Sequence, residues 1–244
     1  MRTLLILGID TTTLSCSVAL LREDTLLAEM TLNIKKTHSE RLMPLLDRML
    51  TESGLEREEL GAIAASAGPG SFTGLRIGVS TARALAQGLG IPGVPVCTLG
   101  AMAEAVPAPG ALICPLLDAR RSEVYTALFR RGNNEPYALE TLLEPAAIAL
   151  EDLFATLREQ YTGPVTFTGE GLQSCTAQIE TALPGRAMAA SAPFRVCRAA
   201  LVALRGKSLL REKPGASYLE LLPSYLRRPE AERLAAERQG GSKQ

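Results

Sequence analysis

The chain has 244 residues, enough to bury a sizeable core as one large domain or as two compact lobes. Its 26 Lys/Arg balance 26 Asp/Glu, so no global field draws nucleic acid or a membrane surface, although residues 205–244 hold nine basic and five acidic side chains. Five cysteines, odd in number and with no C-x-x-C, give neither a disulfide framework nor a zinc knuckle and suit a reducing cytosol.

In chain order, the opening "MRTLLILGIDTT" carries one Arg and an apolar run that Asp10 cuts too early for a signal peptide. No later run reaches membrane-spanning length, so the expected location is cytoplasmic with no membrane partner. Residues 4–23 read as an apolar strand, Asp10 at its end, a short polar turn and a second strand, which is a β-hairpin tipped by a carboxylate. Residues 37–54 place apolar side chains at 42, 45, 46, 49 and 50, the helical spacing. Thr37 and Glu40 form a capping-box pattern at its start, and Gly54 is a C-cap candidate. A strand over 62–67, the glycine-rich "AGPGSFTGLRIG" (67–78), a helix through about Leu89 and a strand over 93–98 follow. Proline-rich "VPAPG" (106–110) reads as a hinge. Residues 112–131 repeat the hairpin, now with Asp118. A helix over 146–161, a strand over 164–169, the turn "GEG" (169–171), a helix over 172–183 and another over 193–210 complete the pattern.

Residues 4–23 laid over 112–131 without gaps put Asp10 on Asp118, Ala19-Leu20 on Ala127-Leu128 and Arg22 on Arg130. The elements that follow correspond as well. The chain therefore reads as a duplicated α/β unit: a first lobe over 1–107, a second over 108–213, and a tail over 214–244 that returns toward the first lobe and frays at its end. This is the two-lobed plan of the actin, sugar-kinase and heat-shock-ATPase superfold. In that plan two hairpins face each other across a cleft and hold phosphates, while their acids order a metal.

A phosphate-holding hairpin needs glycine after the acid so that backbone N–H groups can approach the oxygens. Here Asp10 is followed by Thr11, Thr12 and Thr13, and Asp118 by Ala119, Arg120 and Arg121. Two readings follow for Asp10, Thr11, Thr12 and Asp118: vestigial phosphate hairpins, or Asp side chains that cap their own turns. The glycine loop has neither the spacing nor the Lys of a Walker A motif. It passes for a loose dinucleotide loop, but the next strand ends in Cys97-Thr98 and offers no acid to a ribose. His38 stands alone and cannot supply a two-histidine metal site, and no G-x-S-x-G elbow is present. Neither catalytic nor metal residues are expected.

Gly74, Gly78 and Ala82 recur every four residues and line one helix face, with Leu75, Val79 and Ala86 beside them. A glycine inside a helix costs about 1 kcal/mol relative to alanine, so each needs a compensating close contact. The helix over 37–54 is apolar on two sides: Leu42, Leu45, Leu46 and Met49 on one stripe, Met43 and Leu50 on another. A helix resting on a sheet needs one apolar face. Either these two helices form a protein–protein surface, or both are wholly internal to one lobe.

The stretches "ILGIDTTTLSCSVALL", "THSERLMPLL", "SAGPGSFTGLRIGVSTARALAQGLGIPGVPVCTL", "LLDARRSEVYTALF" and "PSYLRRPE" resemble the bacterial TsaB (older name YeaZ) family. The resemblance runs through 4–131 and returns at 223–227; residues 132–222 match only in outline. It implies a non-catalytic subunit of the tRNA threonylcarbamoyladenosine machinery, degenerate sister of the catalytic threonylcarbamoyltransferase subunit (TsaD). The complex modifies the adenosine next to the anticodon in tRNAs reading codons that start with A. The catalytic subunit carries a metal-binding histidine pair, where this chain has His38 alone. Cofactors are implied for the complex only, as ATP and threonylcarbamoyl adenylate. Implied partners are TsaD, a small ATPase subunit (TsaE), an enzyme making the adenylate, and a second copy of this chain, with tRNA met only through the complex. The family's docking helices match 37–54 and 71–89, which makes Leu42, Leu45, Leu46, Met49, Gly74, Leu75, Gly78, Val79, Ala82 and Ala86 the expected interface. The chain departs from the family at Arg120-Arg121, where one arginine is expected, and in its tail beyond Arg228.

Overall fold

Two five-stranded sheets built to one plan carry the chain, in a computed structural model that describes residues 3–34, 37–120, 122–133, 138–213 and 215–227. The first sheet holds β1 (Leu5–Asp10), β2 (Ser15–Arg22), β3 (Thr25–Asn33), β4 (Ala62–Gly68) and β5 (Gly93–Cys97) in the order β3-β2-β1-β4-β5. The second holds β6 (Leu112–Asp118), β7 (Glu123–Arg131), β8 (Leu139–Ala149), β9 (Val165–Thr168) and β10 (Ala187–Ala189) in the order β10-β9-β6-β7-β8. Read from β8, the second order repeats the first strand for strand. In both, an antiparallel meander of three strands is followed by two parallel ones. The helices repeat too. α1 (His38–Ser53) and α2 (Phe72–Leu89) flank β4 in sequence as α4 (Leu150–Gln160) and α5 (Leu172–Ala182) flank β9. α3 (Thr98–Ala103) follows β5 as α6 (Ala199–Glu212) follows β10. The fold is the duplicated, two-lobed α/β architecture that the internal repeat predicts.

β1 reads as an unbroken apolar run because both of its faces are covered. Leu5, Leu7 and Ile9 meet Leu42, Leu46, Met49, Val79, Ala82 and Ala86 of α1 and α2. One residue out of phase, Ile6 faces a second core built from Ala62, Ala64, Val94, Leu99, Met102, Val202 and Ala203. The second lobe has its own core, in which Leu153, Phe154, Leu157 and Ile179 close over Cys114, Leu116 and Phe167.

The sequence pattern expects a helix over 193–210 in the second lobe. The structure starts α6 at Ala199, after a 3-10 turn at Ala192–Phe194, and lays it across the first lobe's sheet. Tertiary partners fix that start. The Ala199 N–H donates to Ser17 Oγ at 2.9 Å and the Ala200 N–H to Glu29 Oε1 at 3.0 Å, so β2 and β3 satisfy donors that the first turn of a helix leaves orphaned. Gly206 lets the helix approach, since a Cβ there would lie 2.4 Å from the Ala64 Cβ.

Other differences are local. The helix expected from 146 begins at Leu150, because Ala146–Ala149 complete β8 by pairing with Thr126–Glu123. β3, β8, α3 and β10 have no counterpart in the pattern. Thr37 occupies the N-cap of α1 without a side-chain capping bond, whereas Gly54 ends that helix in the left-handed conformation (φ 64°) as expected. Beside the proline-rich 106–110, the buried Arg131 guanidinium pairs with Glu104 at 2.8 Å and donates to the Val106 and Ala103 carbonyls. No helix among the described residues is long and apolar enough to cross a membrane.

Candidate functional site

The tip of the first hairpin fills the place where the glycine loop expects company. A Cβ on Gly70 would lie 2.3 Å from the Thr12 carbonyl oxygen, and one on Gly74 2.0 Å from that of Thr11. A Cβ on Gly78 would lie 2.3 Å from Thr11 Oγ1. The close approach is sealed by hydrogen bonds. Thr11 Oγ1 donates to the Gly74 carbonyl at 2.7 Å, and the Ser71 N–H donates to the Thr12 carbonyl at 2.6 Å. Ser71 also caps α2, its Oγ accepting from the Gly74 N–H at 3.3 Å. The small-residue face of α2 thus receives the chain's own threonines, and no second helix is needed to explain its glycines.

Each hairpin carboxylate makes a hydrogen bond within its own turn. Asp10 Oδ1 accepts from Thr12 Oγ1 at 2.7 Å, and Asp118 Oδ1 accepts from the Arg120 N–H at 2.7 Å. The two differ in surroundings, for Asp10 is fully buried and Asp118 is exposed. Burial pushes the Asp10 carboxyl above its ordinary value, partly offset by the hydroxyls of Ser66 and Thr12 and by the Cys197 thiol nearby. From the second lobe, Glu170 reaches over and accepts from the Leu14 N–H at 3.3 Å; burial raises its carboxyl as well. His38, the first residue of α1, donates from Nε2 to the Thr13 carbonyl at 3.0 Å. It closes the hairpin tip from the helix side. Among the described residues no group of three or more His, Cys, Asp and Glu is arranged to hold a metal.

Of the ten expected interface residues, nine are buried in the first lobe. Leu42, Leu46, Met49, Leu75, Val79, Ala82 and Ala86 are each at most 4% exposed, and Gly74 and Gly78 are buried. They pack inside the first lobe, and only Leu45 among the ten is half-buried. The physical reason is the sheet: the stripe richest in small residues is the one that can lie close to β1 and its hairpin. The outward side of the same two helices carries Met43, 47% exposed, and Phe72, 37% exposed. Half-buried Leu45, Leu50, Ile77 and Leu85 pack against the first lobe's core from the flanks of the two helices, and Ala84 is exposed. The second stripe of α1, Met43 and Leu50, is visible in the sequence, whereas no periodic signal marks Phe72 or Ile77. Arg76 lies with its guanidinium carbon 4.0 Å over the Phe72 ring and donates from Nε to the Tyr225 hydroxyl at 3.0 Å. Arg121 and the tail beyond Arg227 lie outside the described residues.

The family model TsaD, tRNA N6-adenosine threonylcarbamoyltransferase, matches residues 25–235 of the chain. The chain is 37% identical over 227 residues to the tRNA threonylcarbamoyladenosine biosynthesis protein TsaB of Bacillus subtilis (strain 168), covering 93% of this chain and 96% of that protein. To the TsaB of Escherichia coli (strain K12) it is 37% identical over 171 residues, 69% of this chain and 72% of that one. Among solved structures, YeaZ from Pseudomonas aeruginosa matches with a TM-score of 0.74 at 28% identity, covering 93% of this chain and all of that one.

Proposed function

The chain belongs to the TsaB family of tRNA threonylcarbamoyladenosine biosynthesis proteins, and from that premise we propose that it is the pathway's non-catalytic scaffold subunit. In this reading it binds and activates the catalytic threonylcarbamoyltransferase subunit, TsaD, in the cytoplasm. The complex then modifies the adenosine next to the anticodon in tRNAs reading codons that start with A. The outward side of α1 and α2 is the docking face.

One observation carries the proposal. The inward stripes of α1 and α2 are used by the first lobe, yet Met43 stays 47% and Phe72 37% exposed, the latter even with Tyr225 and Arg76 against its ring, on helices that touch each other. A face of this kind, burying about 1,600 Å² in total, makes a specific protein contact of ordinary size. The same face serves self-association when the catalytic subunit is absent. The hairpin geometry supports the lack of chemistry: Thr11 and Thr12 occupy the glycine loop, and Asp10 is committed to Thr12. ATP, threonylcarbamoyl adenylate and tRNA are accordingly handled by the assembled complex with TsaD and the small ATPase subunit TsaE.

Co-expression with the catalytic subunit tests this directly. The expected result is a stable complex by native mass measurement and tRNA modification that requires both chains. Threonylcarbamoyl transfer by this chain alone, or undiminished modification without it, overturns the reading.

A further inference from the structure

The final described stretch, residues 215–227, holds one 3-10 turn at Tyr218–Glu220 and otherwise no helix or strand, yet it is pinned at four points by groups distant in sequence. Leu221 is fully buried against Gly93 of β5, where a Cβ would lie 2.4 Å from Leu221 Cδ1. The Ser224 N–H donates to the Ala67 carbonyl at 2.7 Å, and the Ser224 carbonyl sits over Gly68, 2.5 Å from where a Cβ would be. Tyr225 packs on Phe72 with ring centroids 5.1 Å apart and accepts from Arg76. These three contacts are all to the first lobe. Arg227 then crosses to the second, donating to the Ala119 carbonyl at 3.0 Å and pairing with Glu123.

Arg227 lands on a strained turn. Arg120 and Ser122, neither of them glycine, sit at φ 62° and 61°, a left-handed conformation that a residue with a Cβ keeps only when its surroundings impose it. The Asp118–Arg120 bond is one such constraint. Arg227 supplies another by contacting Ala119 and Glu123, the neighbours of Arg120 and Ser122 in the chain.

We propose that residues 221–227 are an inter-lobe strap, anchored on the first lobe, that holds the second hairpin's tip in its strained form through Arg227. The Leu14–Glu170 contact ties the lobes at the first hairpin; the strap ties them at the second. Lifting the strap releases the tip to relax while the first tie stays closed. The strap meets the proposed docking face at Phe72, through Tyr225, but the residues its test changes, Ser224 and Arg227, lie outside that face.

Hydrogen exchange on the full chain tests it. In Arg227→Ala, amide exchange over 118–124 is expected to quicken by about tenfold, the effect of losing a charge-assisted contact, while β1 and β4 exchange as before. Ser224→Pro, which removes the donor to Ala67 but keeps Arg227, is expected to quicken the same amides. Unchanged exchange at 118–124 in Arg227→Ala overturns the proposal. A rise in Arg227→Ala without one in Ser224→Pro also overturns it, because Arg227 then acts without a strap.

Discussion

Thr11 sits where Gly74 has no side chain: its Oγ1 donates to the Gly74 carbonyl at 2.7 Å, and its own carbonyl oxygen lies 2.0 Å from where a Cβ on Gly74 would be. The contact is to backbone, which has little freedom to move away. Gly74→Ala is therefore expected to destabilise the protein by about 3 kcal/mol, the scale of overpacking a tight core. Gly88, on the same helix, meets nothing within 4 Å. Gly88→Ala is expected to stabilise by about 1 kcal/mol through helix propensity alone. Urea unfolding of the two variants checks the contrast, and equal effects would contradict the packing account.

A second expectation separates the two sides of α1 and α2. Met43 and Ala84 are exposed, so Met43→Glu with Ala84→Glu should leave thermal unfolding within a few degrees of the parent. Affinity for the catalytic subunit should fall by about a hundredfold, as for loss of an apolar hot spot. Leu46→Glu places a charge at a site 4% exposed and should compromise the fold itself. Full binding by the folded double variant would move the docking face elsewhere.

The third concerns pH. Burial raises the Asp10 carboxyl above its ordinary 3.8, so the native state holds a proton that the unfolded chain has already released. Between 3.8 and the native value the unfolded state binds fewer protons, and stability falls as pH rises through that window. Asp10→Asn removes the titration and keeps an Oδ1 acceptor for Thr12. Its melting temperature should exceed the parent's at pH 7, with the gain vanishing below pH 3.8. Glu170 titrates in both proteins. A gain of the same size at both pH values would show that Asp10 does not titrate as its burial requires.

The fourth addresses nucleotide. With Thr11 and Thr12 packed on the glycine loop, the lone chain has no open backbone cradle at this hairpin for a phosphate. Isothermal titration with Mg-ATP should give no micromolar binding. Micromolar binding that disappears in Asp10→Ala would reverse this.

Topology was the most legible layer. The two hairpins and the parallel strands after them are short apolar runs bounded by Asp, Gly and Pro, and that punctuation is local. β3 and β8 were harder to see because they are edge strands whose side chains are largely exposed or half-buried, so neither shows clean alternation. The start of α6 was hidden for another reason: Ser17 and Glu29, which cap it, come from 170 or so residues earlier, and no local signal encodes them. At the site, periodicity revealed that α1 has two apolar stripes but could not say which one meets the sheet. Gly74 and Gly78 carried that information. Their lack of a Cβ implies a close neighbour, and the nearest backbone in need of a seat was the Thr11–Thr12 turn.

Because α6 and Leu221 complete the cores on opposite faces of the first sheet, the first lobe cannot complete its packing until residues 199–221 have left the ribosome. Ile6, Ala64 and Val96 have only Leu99, Met102 and their first-lobe neighbours on one side until Val202 and Ala203 have been translated. Residues 199–221 must emerge before the first lobe is sealed, so a nascent chain stalled near residue 107 is expected to leave apolar surface open on both faces of its sheet.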